Sequence, residues 1–266
     1  MNKHFSAWAP VISGVPQGCV LGPLLFLMYV NDLPDWIVND MRMFADDTKL
    51  WSKISGLSDC VRLQADLDQL YFWSDKWLLS FNPDKYKVMH VGHRYRFHYS
   101  LQQDNTSHRL LETKEESDLG ILVTDRLSVF SQCTGAAKKA MKVLGIIRRQ
   151  LKDLDNECFV ILYKSFVRLH LEFAIQAWSP YFKRDIECLE KVQRRATKVV
   201  KKFKSLSYEA RLHKLGLTTL YDRRLRRDLI EAYKIITDKD HVARKSIPSS
   251  CVGMEKWKID SVAINA

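Results

Sequence analysis

Residues 14–18, Gly-Val-Pro-Gln-Gly, open the stretch that most restricts this chain. Three glycines and two prolines fall within residues 13–23, so the backbone there must turn tightly and approach a neighbour closely instead of extending a helix or strand. Pro23 suits the first turn of a helix, and an apolar run over 19–30 supplies that helix, ending in Asn31-Asp32-Leu33. Phe44-Ala45-Asp46-Asp47 comes about one helix later. Met41, Met43 and Ala45 alternate with Arg42 and Phe44, and Leu50 and Trp51 follow the acids, so this segment reads as strand, two-residue turn, strand. A tight turn there aims both carboxylates at one end of a sheet. Alone, an Asp-Asp pair is ordinary solvated turn surface. Beside a glycine-proline-glutamine turn it is a donor set for Mg²⁺, which is satisfied by one or two carboxylates plus substrate phosphates.

The run from Ile12 to Phe26 resembles the template-positioning motif of reverse transcriptases from non-LTR (LINE-type, jockey-like) retrotransposons, with Cys19 where Ser is usual. Phe44-Ala45-Asp46-Asp47 resembles their metal-binding motif at the expected distance. The resemblance implies that Gly14, Pro16, Gln17 and Gly18 position template and nucleotide. It implies also that Asp46 and Asp47 are catalytic and hold Mg²⁺ (or Mn²⁺).

The likeness continues. Leu63, Leu67, Leu70, Ser74 and Trp77 share one face of a helix that leads into Leu79-Ser80-Phe81-Asn82-Pro83-Asp84-Lys85, similar to the family's next palm motif. This implies a catalytic Lys85 beside the triphosphate, where an ammonium protonates or neutralises the leaving pyrophosphate; the plainer reading is a helix-ending turn with a solvated lysine. Asp118-Leu119-Gly120-Ile121-Leu122-Val123, followed by Leu127, resembles the hairpin that braces the primer strand, where periodicity alone reads a buried strand and turn. Similarity extends through Leu162-Tyr163-Lys164, residues 189–196 and Asp228-Leu229-Ile230. Leu169 replaces the family's usual Pro and implies a straighter helix. The resemblance covers about residues 8–238; the tail after His241 resembles nothing in the family.

Charge divides the chain. Residues 1–132 hold 13 Lys/Arg against 16 Asp/Glu, and residues 133–266 hold 29 against 15, a net of −3 facing a net of +14. A carboxylate-bearing half and a phosphate-binding half suit a palm followed by a thumb. Over 189–203 the apolar positions Leu189, Val192, Ala196, Val199, Val200 and Phe203 follow helical spacing, with Lys191, Arg194, Arg195, Lys198, Lys201 and Lys202 opposite. Residues 191–204 hold seven cations and no acid. A solvated face normally mixes signs, so this stripe reads as a nucleic-acid contact. A second helix over 220–236, with Arg223, Arg224, Arg226 and Arg227, is expected to lie against the first.

At 46% hydrophobic residues the chain can bury a sizeable core, and it has neither an internal repeat nor a low-complexity tract. The 12-residue apolar run 19–30, interrupted by Gly22 and Pro23, is too short to span a bilayer. No signal core follows Met1-Asn2-Lys3, and six dispersed cysteines without a Cys-x-x-Cys pair fit a reducing compartment. An intracellular protein, cytoplasmic or nuclear, is the expectation. His90, His93 and His98 lie on a strand-like stretch with no Cys or acid at ligand spacing and read as non-metal.

The expected fold is α+β: a partial reverse-transcriptase palm over 1–132, an antiparallel sheet with helices, then an all-helical basic thumb-like domain over 133–240 and a tail over 241–266. The resemblance implies template-directed deoxynucleotidyl transfer, with an RNA template, a DNA primer and deoxynucleoside triphosphates as partners. In the family the first catalytic aspartate lies upstream of the Gly-Val-Pro-Gln-Gly turn, and residues 1–13 hold no acid. The expectation is therefore little or no polymerase activity from this chain alone. The alternative is a non-catalytic nucleic-acid-binding protein that keeps its palm as scaffold.

Overall fold

The computed structural model describes residues 18–79, 81–92, 97–103, 106–151, 155–237, 239 and 259–265. These fall into two compact units divided between Thr113 and Lys114, and the first unit also takes in the C-terminal strand.

In the first unit, helix α1 (Leu21–Val30) begins with Pro23 at its third position, as expected of a first-turn proline. Strands β1 (Asp40–Phe44) and β2 (Asp47–Lys53) form the hairpin that the alternation predicts. Helix α2 (Leu57–Trp77) buries Cys60, Leu63, Asp66, Leu67, Leu70 and Trp73. Trp77 of the expected face packs against the same core at partial burial, and Trp73 joins it, its Nε1 donating to Asp32 at 3.0 Å. Asp66, buried in the same face, accepts from the backbone N–H of Val38 and Asn39 and from Asn39 Nδ2, at 2.7–3.0 Å. A buried carboxylate is tolerable on these terms because each oxygen is hydrogen-bonded. Strands β3 (Lys87–Val91), β4 (Ser100–Gln103), β5 (Thr106–Arg109) and β6 (Leu111–Glu112) follow. Leu50, Leu63, Leu67, Leu70, Trp73, Tyr86 and Tyr99 centre the core.

The tail that resembles nothing contributes strand β9 (Ile259–Asn265) to this unit's main sheet. The strand order is β1-β2-β9-β3-β6. β9 runs antiparallel to β2 on one side and to β3 on the other, and only β3–β6 is parallel.

The second unit opens with a hairpin, β7 (Glu115–Asp118) and β8 (Ile121–Thr124), so it is not wholly helical. Asp118 and Ile121 are in register across Leu119 and Gly120, which both adopt positive φ, 45° and 83°. That is the primed turn a right-twisted hairpin favours. Helices α3 (Phe130–Gln150), α4 (Asn156–Leu162), α5 (Arg168–Glu172), α6 (Ile175–Trp178), α7 (Lys183–Ala196), α8 (Tyr208–Lys214) and α9 (Leu220–Ile236) complete it. Where a straighter helix was expected around Leu169, the backbone between α4 and α5 widens into a π-helical turn, Tyr163–Val167. Tyr163 is buried there and donates to Gln193 Oε1 of α7 at 2.5 Å. Gln193 donates to Tyr208 Oη at 3.0 Å and to the Thr218 carbonyl at 2.8 Å, and Tyr208 donates to Glu190 Oε2 at 2.8 Å. This saturated network fastens α7 to its surroundings.

The cationic helix is shorter than its spacing predicts. α7 ends at Ala196, and Lys201–Phe203 form a separate 3-10 turn. Thr197, fully buried, donates its hydroxyl to the Arg194 carbonyl at 3.1 Å and accepts from Arg211 Nε at 3.0 Å. A β-branched residue bonded back onto the preceding turn competes with continued helix, and Val199 and Val200 add stiffness.

Candidate functional site

Asp46 and Asp47 sit where β1 turns into β2. Phe44 is in register with Asp47, so Ala45 and Asp46 form the turn and Asp47 begins the strand. Ala45 adopts φ 53°, a left-handed conformation that costs a residue bearing Cβ about 1–2 kcal/mol. Asp46 is exposed and Asp47 half-buried.

Lys85 reaches the same end of the sheet. Asp47 is in register with Asn265 and Lys87 with Ala263, two residues earlier on β9. Lys85, two residues before Lys87, lies in the 3-10 turn that leads into this end of β3. It closes a 3-10 turn, Pro83–Lys85, organised by Asn82: the Asn82 carbonyl accepts from the Lys85 N–H and its Oδ1 from the Asp84 N–H, both at 3.1 Å. The Asn82-x-x-Lys85 spacing thus has a local structural cause.

Gly18 has φ +84°, reserved for glycine by sterics, and a Cβ there would meet open space; Gly14, Pro16 and Gln17 lie outside the described residues. Among the described residues no three His, Cys, Asp or Glu side chains converge on one point. An adjacent pair, one carboxylate exposed, fits an ion that takes its other ligands from substrate phosphates and water, and does not fit a closed protein cage. His98 Nδ1 faces Glu112 Oε1 at 2.9 Å, an acidic partner that sequence spacing hid.

In the second unit the cationic stripe divides. Arg195, Lys198, Lys201 and Lys202 line a groove of about 1190 Å³, joined by Arg148 and Arg149 from the end of α3 and by Lys204. Asp155 is the single acid among the described lining residues. Met141, Leu144, Leu151, Val199 and Val200 supply its apolar floor, and none of the described lining residues is aromatic. The other two members of the stripe face elsewhere: Lys191 Nζ lies 4.0 Å from Glu187, and the Arg194 guanidinium stacks 5.2 Å from the Tyr208 ring. Because the helix stops at Ala196, Lys201 and Lys202 reach the groove from the turn that follows, not from the helix face. Arg148-Arg149 was legible only as a charged helix end; its neighbours depend on α3 packing against α7.

The arginines of α9 serve structure. Arg223 and Arg227 bond the carboxylate of Glu172, itself 7% exposed, and Arg227 also bonds its carbonyl at 2.9 Å. Arg168 approaches the same carboxylate at 3.7 Å. Its own pKa is lowered, first by burial and then by the neighbouring Arg223. Arg224 is buried, which lowers its pKa.

The reverse transcriptase (RNA-dependent DNA polymerase) family matches residues 1–147, more than half of the sequence. The chain belongs to the reverse transcriptase family. It is similar to the RNA-directed DNA polymerase from mobile element jockey of Drosophila melanogaster, 24% identical over 191 residues, which are 67% of this chain and 20% of that protein. The probable RNA-directed DNA polymerase from transposon X-element of the same species is 24% identical over 228 residues, 80% of this chain and 24% of the relative. That from transposon BS is 38% identical over 82 residues, 27% of this chain and 9% of the relative. This reverse transcriptase chain thus spans about a fifth to a quarter of the length of jockey and X-element, and its kinship is with jockey-like, non-LTR elements. No solved structure matches it. No described helix is long and apolar enough to cross a membrane.

Proposed function

We propose that this chain is the later palm and the following helical, thumb-like unit of a non-LTR RNA-directed DNA polymerase, and that it binds RNA template and DNA primer through the groove of its second unit. The observation that carries the binding reading is the groove lining of seven cations against one acid. Such an excess stabilises a phosphate backbone by releasing condensed counterions. With no aromatic among its described lining residues, the groove is suited to phosphate contacts, which carry no sequence information.

In the inherited reaction, template-directed addition of deoxynucleotides from their triphosphates, Asp46 and Asp47 would hold Mg²⁺ or Mn²⁺. A divalent ion bound there lowers the charge on the triphosphate and activates the primer hydroxyl. Lys85, in the turn that leads into β3, would neutralise the leaving pyrophosphate or give it a proton. Residues 14–18 position template and nucleotide. An intracellular location, cytoplasmic or nuclear, goes with this reading. The second reading, a nucleic-acid-binding protein without catalysis, is favoured by the absence of a third converging carboxylate among the described residues.

The test exploits the split stripe. Changing Arg195, Lys198, Lys201 and Lys202 together to Ala is expected to weaken RNA and primer-template binding alike. On duplex it should reduce the slope of log K against log salt by up to about 0.9 per lost contact. The pair Lys191→Ala and Arg194→Ala, outside the groove, should leave that slope unchanged. Equal effects from both variants, or none from the first, would remove the groove from the reading.

A further inference from the structure

A fixed guanidinium and two exposed rings stand where helices α3 and α7 of the second unit begin. The two helices pack side by side and run in the same direction. Arg184, in the first turn of α7, lies over Phe130 at the start of α3, 4.2 Å from its ring centroid, while Arg148 and Arg149 of α3 meet Arg195 of α7 in the groove at the other ends. Arg184 is held in place. Its Nε bonds Asp185 at 3.2 Å, a carboxylate only 1% exposed, and the Phe130 ring backs the guanidinium, yet the Arg184 side chain itself is 69% exposed. A guanidinium pinned at one edge over a ring, with its remaining surface in solvent, is a plane on which a nucleobase can stack.

Two rings continue this surface. Tyr181, at 85% exposure, carries the most exposed aromatic ring among the described residues, and Phe182 beside it is 66% exposed, the two rings packed edge to face with centroids 5.8 Å apart. Their backbone is anchored although the rings are not. Trp178 and Pro180 are buried, Trp178 Nε1 donates to the Phe173 carbonyl at 2.8 Å, and the Phe182 carbonyl accepts from the N–H groups of Asp185 and Ile186 at 3.0 and 3.1 Å. Adjacent aromatics kept in water on a firm backbone mark a contact surface. Charge decides what it contacts. Lys183 and Arg184 follow the rings directly and are exposed, the acid that comes next, Asp185, is buried, and Glu187 lies beside Lys191. Rings next to cations suit an unpaired nucleic-acid strand, the rings taking bases and the cations phosphates. We propose that Tyr181, Phe182 and Arg184 form a base-stacking platform for single-stranded nucleic acid. The platform rests on the reading that the second unit binds nucleic acid, and it supplies the base contacts for which the groove shows no described aromatic.

The test uses the full chain with three probes at one salt concentration: a single-stranded oligonucleotide, an abasic strand of the same length, and a blunt duplex. Tyr181→Ala with Phe182→Ala should weaken binding of the single strand by at least about fivefold, the loss of one stacked base. Binding of the abasic strand and of the duplex should not change, since the substitutions remove no cation. Exchanging the rings, Tyr181→Phe with Phe182→Tyr, should retain single-strand binding. If the alanine pair binds the single strand as well as the unsubstituted chain does, while duplex binding through the groove persists, the platform alone is overturned and its rings belong to a protein contact. An equal loss on all three probes would also overturn it, because bases would then not be what the rings hold. A chain that binds none of the probes would overturn the nucleic-acid reading and the platform with it.

Discussion

Glu172 shows how a residue's role depends on what the fold gathers around it. Three arginines from two helices converge on one carboxylate that is almost fully enclosed, so its removal leaves buried positive charge uncompensated. Glu172→Ala is expected to destabilise the second unit by about 3–5 kcal/mol, read as a lowered urea midpoint. Glu172→Gln, which keeps a hydrogen-bond acceptor, should cost less, and equal stability of both variants with the unsubstituted chain would show the cluster to be idle. Cys133 makes a second residue-scale case. Burial, then the Asp185 carboxylate, pushes its thiol up to about 12, whereas Cys158 is exposed. The thiolate is the reactive form, so at pH 8 a disulfide reagent should modify Cys158 promptly and leave Cys133 untouched until the unit unfolds. The sign for stability follows. Between about 9 and 12 the unfolded chain releases a proton that the folded chain retains, so this thiol makes folding less favourable as pH rises through that window. The turn that carries Asp46 and Asp47 was legible in the sequence because its signal is local. Glu172, Asp66 and Gln193 were not, because each takes its meaning from partners 27 to 51 residues away.

Elements were legible where periodicity had no competitor. The β1–β2 hairpin, α2 and the β7–β8 hairpin stand where alternation, apolar spacing and the Leu119-Gly120 turn place them. α7 was overextended because apolar spacing continues through Val199, Val200 and Phe203 after the backbone has left the helix, and the stop signal is a buried threonine hydroxyl that looks ordinary in sequence. α9 carries the opposite lesson. Arg223 and Arg227 face the Glu172 carboxylate while Leu225, Leu229 and Tyr233 are exposed, so amphipathicity located two faces without saying which one packs inward. The β7–β8 turn permits a direct trial. Gly120 has φ +83°, and a Cβ there would meet Phe173 Cε1 at 3.2 Å. Gly120→Ala should therefore lose about 1–2 kcal/mol from backbone strain alone, with an added steric term unless the ring yields. Thermal unfolding measures it, and an unchanged midpoint would mean that the hairpin adopts another turn at no cost.

At the scale of the molecule, the net charge of +11 is concentrated in the later half, where some arginines gather round Glu172 while other cations line the groove. The first unit holds the complementary chemistry in incomplete form, two carboxylates and Lys85 at one end of a sheet whose central strand comes from the tail. The chain spans only about a fifth to a quarter of the jockey and X-element polymerases it matches. Purified alone, it is expected to bind primer-template but to extend no primer in Mg²⁺ or Mn²⁺ with all four deoxynucleotides. Two carboxylates from one turn do not clamp both the attacking and the leaving oxygen. Fused to the preceding segment of the jockey polymerase, it should gain extension on an RNA template, and Asp46→Ala in the fusion should abolish that gain while leaving binding through the groove intact. Extension by the unfused chain would reveal another carboxylate completing the site. A folded, template-binding fusion that stays inactive would instead favour the non-catalytic reading, in which the palm survives as scaffold for the groove.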